Sequence, residues 1–312
     1  MLLYLSTRNK ADSFTAHKVL HCASAPDGGM FVPMRLPVQD DIALAAFESM
    51  SFGESTAYLL NLFFGTHLTG WDVDFSVGRQ AVDFVSCGYK ISLAETWHNP
   101  AGSHDYLVSR LYELVTRDVH SKVSPNLWFH TVVNIAVLFG IYGKYSRQEI
   151  YEFDVAIESA DLQMLFAVRY AQKMGLPVRR IILGTTEGDC LWEFLSYGDY
   201  QIGRKNRLSG LEALLWLEFG YAETSAYEEA MQGRTVYRLK DLKLEQFRAG
   251  IFTTVVGDSR VKNVIDSTLS TNNYRMERAT ARAFAALQDY RAKTGVNKNT
   301  LMFARNIPVR QL

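Results

Sequence analysis

EFDVAIESADLQMLFAVRYAQKMGLPVRRIILGTT, residues 152–186, reads as strand, helix, strand. "EFDVAIES" is a short apolar run of the kind that forms a buried strand. "ADLQMLFAVRYAQKMGLP" has helical periodicity and stops at Gly175, with Pro177 just beyond to prevent its continuation. "VRRIILGTT" is a second apolar run. Two strands joined through a helix lie parallel, because the crossover carries the chain back to the end at which the first strand began. The expected fold class is therefore α/β, a parallel-rich sheet with flanking helices. The turn "SADLQ" at 159–163 stands where parallel α/β sheets hold phosphates. Close approach to phosphate oxygens usually needs glycine. Here the turn is Ser159-Ala160-Asp161, and the Asp161 carboxylate would oppose an anion. Asp161 is expected to cap the helix instead.

Downstream, helices are expected at 188–197 and 209–219, then a long amphipathic helix over 276–293 and a short strand "LMFA". The stretch 220–257 has no clear period. Upstream, "LWFHTVVNIAVLFGIYG" (127–143) is the most apolar run, but His130 and Asn134 interrupt it, so a buried helix is expected rather than a membrane span. "DYLVSRLYELVTRDV" (105–119) places Leu107, Leu111, Leu114 and Val115 on one face, with Asp105 positioned to cap it. Residues 1–93 open with the strand "LLYLST". The Asp27-Gly28-Gly29 turn follows, then helices at about 40–48 and across "STAYLLNLFFG". The pattern blurs around "GWDVDFSVGRQAVDF". Repeats, low-complexity tracts and long linkers are absent from the sequence.

The chain of 312 residues has 33 basic and 33 acidic side chains, and 48% of it is hydrophobic. That is an ordinary globular composition with no global pull toward nucleic acid or an anionic membrane. The cluster "RKNR" (204–207) is too short for a nucleic-acid stripe and is expected to be a solvated loop. Cys22, Cys87 and Cys190 are too far apart in sequence for a metal knuckle and suggest no disulfide framework. "MLLYLSTRNK" lacks the regions of a secretory signal. A cytoplasmic setting is the expectation.

The loop "AETWHNPAGSHDY" (94–106) gathers His98, Asn99, Ser103, His104 and Asp105 around Pro100 and Gly102. Ser103, His104 and Asp105 are triad residue types, but a triad is assembled from separate elements and no G-x-S-x-G elbow occurs. His98 and His104 with a carboxylate would be metal ligands, yet their spacing is not i, i+4 and no H-E-x-x-H is present. The simpler expectation is a polar helix entry capped by Asp105 or Ser103, with no resident metal.

Taken in order, several stretches resemble threonine synthase, a fold-type II pyridoxal-phosphate enzyme of tryptophan synthase beta-like core. "YLSTRN", "SF" at 13–14 and "APDGGMFVP" (25–33) resemble that family's N-terminal signature. "LAETWHNPAGSHDYLVSRLYELV" resembles its H-G-P-T-x-A-F-K-D segment running into a helix. Residues 153–200 resemble its strand, phosphate loop, helix and strand. "MERATARAFAALQDY" with "LMFARNIP" resembles its closing helix and strand. The resemblance implies a threonine-synthase-like N-terminal domain over 1–93 and a pyridoxal-phosphate-type α/β domain over 94–312.

It also implies losses at the cofactor positions. His104, or Ser103 with a shifted gap, stands where the family has its Schiff-base lysine, and neither forms an aldimine. Ala160, Asp161 and Gln163 stand at the phosphate glycines, and Arg305 at the hydroxyl opposite the ring nitrogen. The family's small subdomain after the lysine helix is expected to be missing. From this we expect an incomplete core without cofactor, a non-catalytic binding, regulatory or assembly protein. It would self-associate or pair with an active homologous enzyme, through any apolar surface the loss exposes, with 127–140 the first stretch to inspect. Two further readings follow. One is a re-purposed enzyme using His98, Asn99, Ser103 and His104 facing a pocket with Ser159. The other is a pyridoxal-phosphate lyase using an unaligned lysine, Lys90 being nearest.

Overall fold

The computed structural model describes residues 2–117, 124–201, 208 and 210–308. The cluster at 204–207 lies outside the described residues. Strand β1 (Leu3–Ser6) pairs antiparallel with β2 (Phe14–Thr15) and, past helix α1 (Ala16–Leu20), with β3 (Phe31–Pro33). Helices α2 (Asp41–Ala46), α3 (Phe52–Phe64) and α4 (Gly70–Val77) follow, then the antiparallel pair β4 (Asp83–Ser86) and β5 (Ile91–Glu95). Helices α5 (His104–Thr116) and α6 (Leu127–Ser146) lead into β6 (Phe153–Glu158), α7 (Leu162–Lys173) and β7 (Val178–Thr185). Then come α8 (Cys190–Tyr197), β8 (Asp199–Gln201), α9 (Leu211–Phe219), α10 (Tyr221–Gly233), β9 (Val236–Arg238) and α11 (Asp241–Arg248). The chain closes with β10 (Ile251–Val255), α12 (Asp258–Asn272), α13 (Arg278–Thr294) and β11 (Thr300–Ala304).

The main sheet has six strands in the order β10-β7-β6-β11-β5-β4, parallel except for β4 at one edge. Alternation along each strand divides the core in two, because successive strand residues face opposite sides. Phe153, Val155, Ile157, Ile181, Leu183, Leu301 and Phe303 join one cluster, which includes α3, α6 and α7. Ala156, Ile182, Met302, Leu93 and Ile91 join the other, under α12 and α13. Both faces are covered, which is why these strands read as continuous apolar runs.

The strand–helix–strand expectation over 152–186 holds, with Asp161 Oδ1 accepting from the Met164 amide at 3.0 Å. Gly175 takes φ +107 and would place a Cβ 2.5 Å from the Gln39 carbonyl oxygen, so only glycine fits there. Helix α6 is long and apolar enough to cross a membrane, but 78% of its apolar window is buried against this chain. It packs on α3 and α7, so the stretch 127–140 is core and not exposed surface.

The structure is more specific than the sequence at several points. Ser103, not Asp105, caps α5: its hydroxyl accepts from the Tyr106 amide at 3.3 Å, while Asp105 is exposed in the first turn. The expected boundary at 93/94 falls inside β5, and residues before it supply β4 and most of β5 to the main sheet. One apolar cluster runs from Tyr4 to Phe303, so the N-terminal part shares its core with the rest. Within 70–86 the blurred pattern resolves into α4 and β4, and 220–257 into two helices and two strands.

Candidate functional site

The parallel strands end together at Glu95, Glu158, Thr185, Val255 and Ala304. In open α/β sheets the crevice outside those ends is where ligands bind. Here it is bounded by the loop 96–103, the start of α7 and the tail after β11.

Most of the loop's polar side chains build the loop itself. The Asn99 amide donates to the Ser103 carbonyl at 2.8 Å, and its oxygen accepts from the Ala101 and Ser103 amides. Gly102 takes φ +61 and packs on Ile307. The tail straps the loop down: the His104 amide donates to the Arg305 carbonyl at 2.7 Å, and the Ile307 amide to the Gly102 carbonyl at 2.9 Å. His104 is buried, its Nδ1 3.0 Å from Thr96 Oγ1. Asn134 lies beside the ring, yet among the described residues neither His104 Nε2 nor Asn134 Nδ2 has a well-placed partner. Burial holds the His104 imidazole well below its ordinary pKa, and the charges of Arg305 and His130 push it further down. Burial also lowers His130, with Asp105 opposing the shift and Arg305 adding to it.

Between β6 and β11, Arg305 Nε lies 2.9 Å from Asp161 Oδ2, and Arg305 Nη2 is 3.3 Å from Asn134 Oδ1. The Nε contact is close without hydrogen-bond alignment, so it is an ion pair by charge and distance. These side chains leave a cavity of about 30 Å³, lined by Glu158, Asp161, Glu277, Thr280, Phe303 and Arg305, with no lysine among the described residues of its wall. Beside it, between the starts of α12 and α13 and the tail, opens a cavity of about 900 Å³. Asp258, Lys262, Asp266, Arg275, Glu277 and Arg278 give it charges of both signs.

On the other side of β5 the arrangement differs. His98 Nε2 is 2.7 Å from Glu95 Oε2, and the Tyr274 hydroxyl donates to Glu95 Oε1 at 2.5 Å. Burial, and after it the Glu95 carboxylate, raise the Tyr274 phenol far above its ordinary range. Asp83 stands directly opposite Glu95 in the β4–β5 register. The Trp97 ring stacks on His98, centroids 4.1 Å apart.

The residues singled out from the sequence therefore do not converge. His98 faces Glu95, His104 faces Thr96, and Asn99, Ser103 and Asp105 serve the turn and the helix start. Ser159 is buried and donates to Asp189, the cap of α8. Asp161 alone reaches the crevice, paired with Arg305. Lys90 is exposed at the turn before β5, at the opposite end of that strand from the crevice. Sequence reasoning missed Asp83, Glu95, Thr96 and Tyr274. The polar interruption of an apolar helix by Asn134 was the one local sign of a partner at its centre.

This geometry is that of a doubly covered, mostly parallel α/β fold with its crevice at the strand ends. Residues 3–77 match the family described as threonine synthase N terminus. The fold is that of threonine synthases of known structure. It is similar to pyridoxal-phosphate-bound threonine synthase from Brucella melitensis, with a TM-score of 0.79 and 16% identity, covering 99% of this chain and 89% of that one. It is likewise similar to threonine synthase from yeast, TM-score 0.77 and 13% identity, covering 98% and 87% of the two chains. For the enzyme from Escherichia coli the TM-score is 0.64 at 14% identity, covering 98% and 88%.

Proposed function

We propose that this threonine-synthase-like chain holds no pyridoxal phosphate and works as a non-catalytic binding, regulatory or assembly protein. The observation that carries the reading is the Arg305–Asp161 pair in the crevice. Pyridoxal phosphate does not fit the residues present. The cavity of about 30 Å³ between Asp161 and Arg305 has room for roughly one or two waters. Asp161 sets a carboxylate at the helix start where a phosphate would need bare amides. The loop offers Ser103 and His104, neither of which forms an aldimine.

A reduced core is part of the same reading. The likeness spans 89% of the Brucella chain, so a loss of bulk would be an internal shortening. Only residues 117–126 separate α5 from α6, where the resembled family carries its small subdomain. A reversible ligand would use the cavity of about 900 Å³, whose mixed charges suit a small zwitterion or a polar peptide segment. Self-association, or association with an active homologous enzyme, is the assembly form of the proposal.

The test is spectroscopic. The purified chain, incubated with pyridoxal phosphate and dialysed, is expected to show no band at about 410–430 nm. A retained band that borohydride shifts would overturn the proposal. Native mass measurement of the same sample reports bound small molecules and oligomeric state together.

A further inference from the structure

We propose that Asp83, Glu95 and His98 form a binding site for a divalent cation of the zinc class, at the β4–β5 corner of the main sheet. Among the described residues, one ligand atom from each lies within 4.8 Å of the other two. The donor set, two carboxylate oxygens and one imidazole nitrogen, suits zinc or a neighbouring transition metal.

The sheet register creates this site. Asp83 and Glu95 are direct cross-strand partners on one face, and like charges placed so repel. His98 comes back over Glu95 and brings its Nε2 to the same point. A divalent cation held by the trio would balance both carboxylates at once.

Each carboxylate is also oriented from outside the trio. Tyr274 holds Glu95 Oε1, which turns Oε2 toward His98. The Phe84 amide donates to Asp83 Oδ1 at 2.7 Å, and no hydrogen bond from a described residue occupies Oδ2. Trp97 stacks on the His98 ring and fixes its plane. Metal sites use outer partners of this kind to orient their ligands. Glu95 is buried while Asp83 is exposed, so the site has a fixed base and an open side for entry. Zinc–ligand bonds of about 2.1 Å set tetrahedral donors about 3.4 Å apart. A small rotation of His98 and inward movement of Asp83 meet that spacing. Three protein ligands leave a fourth position for water or a ligand atom.

The test is a calorimetric titration of the chelator-treated full chain with zinc chloride. It is made in a His17→Ala background, because the neighbouring His17 and His21 rings, centroids 4.5 Å apart, offer a competing surface site. One saturable equivalent is expected. Asp83→Asn, at an exposed position, is expected to abolish it, as is His98→Ala. Tyr274→Phe is expected to weaken binding by about 10-fold while leaving one equivalent. Absence of a saturable site, or Asp83→Asn binding as tightly as its parent, overturns the proposal and leaves His98 as a counter-ion only.

Discussion

His98 and His104 leave the same loop and end in opposite surroundings. His104 enters the cluster between the sheet and α6, buried and uncharged, with Thr96 on one nitrogen and Asn134 beside the other. His98 stays partly exposed against Glu95, with a second carboxylate across the strand pair. Successive residues of an extended strand face opposite sides of the sheet. Glu95 and Thr96, at the end of β5, thus assign one histidine to each face. A dense run of reactive residue types therefore need not be one site.

The buried histidine carries the larger effect. His104→Ala removes a fully enclosed ring and leaves Thr96 and Asn134 facing a void. A loss of about 3 kcal/mol is expected, from the cavity and the stranded polar groups together. His98→Ala, at a partly exposed ion pair, is expected to cost less than about 1 kcal/mol. Urea unfolding of the two variants checks the contrast. Equal losses would mean that the two halves of the loop are not energetically distinct.

Acidity sharpens the same contrast. His104 in the folded chain has its pKa pushed down by burial, whereas in the unfolded chain it titrates near 6.5. Above that pH the ring is neutral in both states and its contribution to stability is fully present. As pH falls below about 6.5 the unfolded chain takes up a proton that the folded chain refuses, so stability declines. The slope is up to about 1.4 kcal/mol per pH unit for each such group. His130, lowered by burial as well, adds in the same direction. Between pH 6.5 and 5 the midpoint of urea unfolding should fall, and His104→Asn should flatten that fall. A slope unchanged in His104→Asn would show that the ring is protonated in the folded state.

The fold was legible where local signals were complete. The run from Phe153 to Thr185 carries apolar strands, a capping Asp161 and a terminating Gly175 in one continuous stretch, so no distant information was needed. Strand β10, Ile251–Val255, was not legible because it is a half-buried edge strand, and its residues show neither a full apolar run nor clean alternation. Of the crevice, Arg305 stood out as a departure from the resembled family, but its pairing with Asp161 depends on β11 entering the middle of the sheet beside β6. The corner at Glu95 was invisible for the same reason. Asp83 reaches it through strand register, and Tyr274 arrives from the segment between α12 and α13, 179 positions along the chain.

The finest distinction within the loop concerns which residue starts α5. Both Ser103 and Asp105 are plausible caps from sequence, and the two act through different physics. Ser103 accepts a hydrogen bond from the Tyr106 amide, a contact that alanine deletes outright. Ser103→Ala should cost about 1 kcal/mol. Asp105 is exposed and acts only through its charge near the positive end of the helix, an effect that solvent screens. Asp105→Asn should therefore cost no more than about 0.5 kcal/mol, and that cost should vanish in molar salt while the Ser103→Ala loss persists. If the salt-insensitive loss belonged to Asp105, the helix would begin with Asp105 as its cap. His104 would then leave the first turn of α5, together with the backbone bond that ties it to Arg305.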